Sequence, residues 1–147
     1  MKLFFQALLV FISTLITAQK SSAQARVQAV ISNLENNKGV CRVCIFNNAA
    51  SFNGEGGEPV QCVAAPVNSL QSKADFNNLP PGRYAIFVFH DANSNNRMDK
   101  NFVGVPKEGY GASRNKLPFA AAPNFNNNAF TITAGTTTTV NIRLRNL

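Results

Sequence analysis

The sequence predicts an all-β domain, a single seven-stranded immunoglobulin-like or transthyretin-like β-sandwich with a long ordered flap between strands 5 and 6. Three observations predict it. Residues 24–147 hold no convincing helical period. Their apolar runs are short and separated by turn residues, at the spacing expected of a sandwich. The last run, "TTTVNIRLRNL", alternates Val140, Ile142 and Leu144 with Asn141, Arg143 and Arg145, as a strand with one wet face does. A chain of 147 residues is one domain's worth and can bury a single core.

The strands follow in order. Residues 25–34 form the first, and "ENNKG" supplies a turn whose Asn and Gly tolerate positive φ. Residues 40–47 return as the second. A Gly-rich loop leads to the third, 60–67, where Pro66 marks an edge or an end. Residues 72–79 are a weaker fourth, and "PPG" turns tightly into 83–91. That fifth run is apolar on both faces, with Tyr84, Ile86 and Val88 on one and Ala85, Phe87 and Phe89 on the other, as a strand covered on both sides must be. Residues 129–133 and 137–147 complete the set. The segment 92–128 between strands 5 and 6 is too long for a simple connection. Its Phe102, Val103, Val105, Tyr110, Leu117, Phe119 and Phe125 carry too much apolar surface for a disordered linker, so it should fold back over the sandwich.

The chain starts Met1-Lys2, followed by the apolar run 3–16 and then small polar residues up to Ser21-Ser22-Ala23. This is the pattern of a cleaved signal peptide, 1–23, leaving the domain 24–147 and placing the protein in the periplasm or outside the cell. The run is shorter than a spanning helix and Gln6 interrupts it, so the mature chain should contain no transmembrane segment. Removing Lys2 and Lys20 leaves twelve basic and seven acidic residues, a net charge of +5. The surplus is scattered, apart from Arg97, Lys100, Lys107, Arg114 and Lys116 in one long segment. The favoured reading of these is a solvated basic face, and the alternative is attraction to an anionic surface, lipid headgroup or polysaccharide. Without interleaved aromatics it does not point to nucleic acid. Of three cysteines, Cys41 and Cys44 have redox or zinc spacing but lie in a strand, on opposite faces. A bridge from Cys62 to either, or three reduced thiols, all fit the sequence.

Most of the candidate chemistry lies in "FHDANSNNRMDKN", residues 89–101. Counting from Asp91, side-chain oxygens fall at positions 1, 3, 5 and 9: Asp91, Asn93, Asn95 and Asp99. Arg97 stands at position 7, where a backbone carbonyl serves. This is the ligand spacing of the first nine positions of an EF-hand loop, and the cation it would take is calcium. Asn96 holds the sharp-turn position normally given to glycine. Phe102 stands where a bidentate Glu is expected, so Glu108 would have to close the set. Affinity would lie toward roughly 10⁻⁴–10⁻³ M. The competing reading is an Asx-rich turn whose side chains bond their own backbone. His90, the one histidine, shares strand parity with Tyr84, Ile86 and Val88. A lone histidine more often bonds a backbone carbonyl than acts in catalysis, so the structural role is favoured.

The block "LPPGRYAIFVFHDANSNNRMDKNFVGVPKEGYGASRN", residues 79–115, resembles the signature of the bacterial exported family catalogued as domain of unknown function 2141. Its order LPxGxYAxxxxHDxNxN, then D-x-N, then GxPxExYGxSxN is met by Leu79, Pro80, Gly82, Tyr84, Ala85, His90, Asp91, Asn93 and Asn95. Asp99, Asn101, Gly104, Pro106, Glu108, Tyr110, Gly111, Ser113 and Asn115 continue it. Asn96-Arg97 departs from the family's common Gly-Lys. The resemblance implies an exported domain without an established activity, and it groups His90, Asp91, Glu108 and Tyr110 in one ligand-binding site.

The expected function is a non-enzymatic binding module of the envelope or exterior for a carbohydrate or protein ligand, with calcium as its candidate cofactor. In it Asp91 and Asp99 supply charge, Asn93 and Asn95 neutral oxygens, Glu108 a closing carboxylate and Tyr110 a stacking face. Two alternatives stand beside it: a hydrolase using His90 with Asp91 or Glu108, and a purely structural accessory module.

Overall fold

The computed structural model describes residues 23–119 and 121–147, so the expected leader lies, apart from Ala23, outside the described residues. The protein is all-β there. Its strands are β1 (Ala25–Ser32), β2 (Val40–Phe46), β3 (Gln61–Asn68), β4 (Gln71–Leu79), β5 (Gly82–Asp91), β6 (Tyr110–Ala112), β7 (Phe130–Ile132) and β8 (Thr137–Arg143). Two single-turn helices, α1 (Ala49–Phe52) and α2 (Phe125–Asn128), complete it. Among the described residues no helix is long and apolar enough to cross a membrane.

The hydrogen-bonded order is β6–β5–β2–β3–β4–β1–β8, with β7 beside β5. All neighbours are antiparallel except β1 and β8. The path curls until it nearly closes on itself. Midway along the path β3 meets β4 over only two residue pairs, and between its two ends a bridge from Tyr110 to Arg145 ties β6 to the end of the β8 arm. Where the sequence reads seven strands, eight are formed. The additional one, β6, is three residues long and lies inside the expected flap, too short to carry a period of its own.

The strand alternation read from sequence is the burial pattern observed. In β2, Cys41, Val43 and Ile45 point inward while Val40, Arg42 and Cys44 face out. These inward residues pack with Val27, Ala29 and Ile31 of β1, Phe76 of β4 and Ile86 and Val88 of β5. The second face of β5 is also covered, as its double apolarity requires. Ala85 packs with Phe125 and Ala129, and Phe52 sits edge-on to Phe46, Phe87 and Phe125. One edge of β5 belongs to β2. The other is shared by β7 at its start and β6 near its end. The "PPG" turn is fastened by Tyr84, whose hydroxyl donates to the Pro80 carbonyl at 2.9 Å.

The flap divides in two. Residues 113–118 and 121–128 do fold back, anchored by Asn128, a fully buried side chain. Its Oδ1 accepts from the N–H groups of Arg114 and Lys116, and its amide donates to the carbonyls of Lys116 and Asn124. Ser113 Oγ donates to the Asn128 carbonyl at 2.6 Å and accepts from Ile86 N–H at 3.0 Å. Tyr110 and Phe125 are buried here. Phe102, Val103, Val105 and Phe119 instead face solvent, against the expectation that the whole flap covers the core.

The cysteines resolve by register. Cys44 and Cys62 are direct partners across β2 and β3 and form a disulfide. Cys41 is a buried free thiol whose pKa burial pushes up to about 11, a hydrogen bond with Ser72 pulling the other way. Replacing Cys44 and Cys62 together by Ser should lower stability by about 3 kcal/mol in denaturant melts, the scale for a closed loop of this length. Alkylating reagents should leave Cys41 unmodified in the native protein.

Candidate functional site

The loop after β5 is launched from a carboxylate with no exposed surface. Asp91 Oδ2 accepts from Arg42 Nε at 2.9 Å and from Asn96 N–H at 3.0 Å, while Oδ1 accepts from Asn95 N–H at 2.9 Å. Arg42 reaches further, donating from Nη2 to Asn96 Oδ1. A buried charge persists only when it is paired and hydrogen-bonded, and both conditions are met here. Burial alone raises the Asp91 pKa. The Arg42 hydrogen bond, the N–H groups of Asn96 and Asn95, and the Arg42 charge outweigh it and hold the carboxyl below its ordinary 3.8. Asn96 turns the chain with a φ of 68°, the left-handed geometry expected at that position.

The remaining polar side chains of the loop are bonded to one another. Asn93 and Asn95 donate their amides to the Asp99 carboxylate at 2.7–3.1 Å. Their Oδ1 atoms accept from the N–H groups of Asn95 and Arg97, both two residues on. Glu108 does close the loop. Its Oε1 accepts from Ala92 N–H at 3.1 Å and its Oε2 from Asp99 N–H at 3.0 Å, clipping the outgoing arm to the returning one. Arg97 is exposed, with Nε 3.9 Å from Asp99 Oδ1. The carboxylate oxygens of Asp91, Asp99 and Glu108 thus all have protein donors. Among the described residues no group of three His, Cys, Asp or Glu side chains is placed to hold a metal ion.

His90 and Tyr110 are close in sequence to this network but turned away from solvent. His90 is 3% exposed, and its Nε2–H donates to the Lys38 carbonyl at 2.7 Å, the kind of backbone bond expected of a lone histidine. An imidazole so placed offers a substrate no accessible base, which leaves the hydrolase reading without its central group. Tyr110 is 7% exposed, its ring 6.4 Å from that of Phe87, so it is a packing residue with no free stacking face. The structure therefore brings Asp91, Asn93, Asn95, Asp99 and Glu108 into one network, with the Arg97 backbone joined to it, and sets His90 and Tyr110 behind it.

Three supporting residues escape the sequence reading. Arg42 lies on the outer face of β2, and only the register that sets it opposite Phe89 brings it to Asp91. Lys38 and Gly39 belong to the β1–β2 turn. Gly39 has a φ of 62°, and a Cβ there would collide with the backbone of Asp91 and Ala92, so this turn can close on the loop's base only with glycine. The one available signal was the "KG" ending of that turn.

Fold and site together define a small, nearly closed β-domain with a hydrogen-bonded polar loop on the end of a doubly covered strand. The chain belongs to the family described as "Uncharacterized protein conserved in bacteria (DUF2141)", which matches residues 29–141. No match to a curated protein or to a solved structure accompanies it.

The depressed Asp91 pKa sets a pH dependence. Its contribution to stability is complete above the unfolded value and is lost as pH falls from 3.8 through the lower folded value. Asp91→Asn should cost about 2–4 kcal/mol at neutral pH, by leaving Arg42 unpaired and setting an amide against two N–H donors. It should also remove this part of the acid dependence in denaturant melts recorded across pH.

Proposed function

We propose that this protein is a non-enzymatic binding module exported to the cell envelope or exterior, which presents the outer surface of its 92–108 loop to a partner. One observation carries the reading: the carboxylates and the histidine that look like chemistry are committed to protein groups, so they shape the loop and leave its outside to make contact. Loops on rigid scaffolds are where binding functions concentrate. Export is supported by the leader-like residues 1–23 and by the Cys44–Cys62 disulfide, which suits an oxidising compartment. We take the β6–β5–β2–β3 and β4–β1–β8 halves as leaves of an immunoglobulin-like or transthyretin-like sandwich. The Tyr84–Pro80 bond supports this, being of the tyrosine-corner type of such folds.

Calcium assistance is a separate question for the same loop. Because donors already occupy the carboxylate oxygens of Asp91, Asp99 and Glu108, a cation would have to displace Asn amides and N–H groups that hold the turn. Millimolar calcium should leave the melting temperature unchanged. A rise of several degrees that Asp99→Asn abolishes would instead establish the loop as a calcium site.

The binding reading is tested by replacing residues 100–106 with a short Gly-Ser link and fractionating cells. The variant should fold, retain its disulfide and lose retention on envelope fractions. Unchanged retention would remove the loop from the binding role.

A further inference from the structure

The end of the loop is a turn built to keep its shape. Lys107 N–H donates to the Asp99 carbonyl and Asn101 N–H to the Val105 carbonyl, each at 2.8 Å, with Lys100 and Pro106 bridged between them. Asn101 fills the turn from inside, its Oδ1 accepting from Val103 and Val105 N–H at 3.0 Å each. Gly104 donates to the Asn101 carbonyl and takes a φ of 83°. With its backbone held this way, the turn leaves Phe102 100% exposed, Val103 65% and Val105 40%. A large aromatic with no protein contact on an ordered turn is unlike the scattered apolar residues of an ordinary surface.

Charge around this point has a consistent arrangement. Lys100 and Lys107 are exposed on the two arms of the turn, and Arg97 is exposed earlier in the loop, its Nε 3.9 Å from Asp99 Oδ1. Of the carboxylates of the same loop, Asp91 is buried under Arg42, Glu108 accepts from two N–H groups, and Asp99, whose side chain is 31% exposed, accepts from the Asn93 and Asn95 amides. Without Lys2 and Lys20 of the leader-like segment, the chain carries twelve basic and seven acidic residues, a formal charge of +5. An apolar point with a cationic collar matches the boundary of an anionic bilayer, where headgroup phosphates lie above acyl chains. A hydrophobic pocket on a protein would match the point but not the collar.

We infer that the 100–107 turn is a membrane-surface anchor. It inserts Phe102, with Val103 and Val105, into the interface of an anionic lipid bilayer, while Arg97, Lys100 and Lys107 meet the headgroup phosphates. This rests on the binding-module reading and names its partner. A single small wedge gives weak, reversible attachment, dependent on both anionic lipid and low salt.

The sequence contains no tryptophan, so one introduced at the tip reports alone. Phe102→Trp should shift its emission to the blue and become quenched by brominated lipid on vesicles of phosphatidylcholine with phosphatidylglycerol. It should do neither on phosphatidylcholine alone, and high salt should reverse both effects. Phe119→Trp, at a position 98% exposed outside the turn, should show no response. In the otherwise unchanged protein, Phe102→Ser should weaken binding to anionic vesicles about tenfold to a hundredfold, and Lys100→Glu with Lys107→Glu should abolish its preference for them. No emission change at position 102, or an equal change at 119, overturns the anchor. So does undiminished vesicle binding by Phe102→Ser. Envelope retention through residues 100–106 without insertion into either vesicle leaves the binding module standing and removes only the lipid as its partner.

Discussion

Asp91 is the fixed point from which the outer half of the molecule is built. A carboxylate without exposed surface tolerates few arrangements, because each oxygen must find donors and its charge must find a partner. Here the partner comes from β2, and the donors come from the first turn of the loop that Asp91 itself begins. One residue therefore sets two things together. It favours the β2–β5 register that places Arg42 within reach, and it bends the chain at Asn95 and Asn96 into the loop. A slip of one residue along β2 would turn Arg42 to the core and Val43 outward, so the ion pair and the hydrophobic core select the same pairing.

The base of the loop is secured from a third direction by the β1–β2 turn. His90 takes the Lys38 carbonyl, and Gly39 lies so close to Asp91 that no side chain fits between them. Across the fold, Gly111 packs against Ile142, and a Cβ there would crowd its side chain. Asn115, next to this contact, accepts from Arg143 N–H and donates to the Asn141 carbonyl, pairing an edge of β8 with a side chain in place of a strand. These contacts accompany a sheet curled almost to closure and give two backbone groups of its last strand's outer edge side-chain partners.

Strand positions and faces were legible because alternation is a local property: two residues reveal which face is which, and β5 showed its double burial in its own composition. The chemistry of the site was less legible because it depends on partners distant in sequence. Asp91, Asn93, Asn95, Asp99 and Glu108 do lie in one loop network, though Glu108, expected to replace a cation ligand missing at Phe102, is found accepting from the N–H groups of Ala92 and Asp99. What fills that loop depends on Arg42, 49 positions away, and a lone arginine on a strand's wet face looks like solvated charge. β6 was hidden for a similar reason. Three residues carry no period, and Tyr110–Ala112 becomes a strand only because β5 has a free edge beside it.

The flap shows where apolar content misleads. Seven large apolar residues in 92–128 argue for folding back, and for Tyr110 and Phe125 the inference is sound. Phe102, Val103 and Val105 lie beyond two hydrogen-bonded arms that hold them away from the body, so burial against their own domain is closed to them. The hydrogen bonds of Asp91, Glu108 and Asn101 work against hydrophobic collapse of this segment, and a sequence that only needed a connection would have little reason to keep all three. A rigid turn does not lessen the cost of exposing an apolar point to water, but it leaves less ordering to be done when a partner binds. In the proposed anchor, the polar network sets the geometry in which the exposed phenylalanine would act.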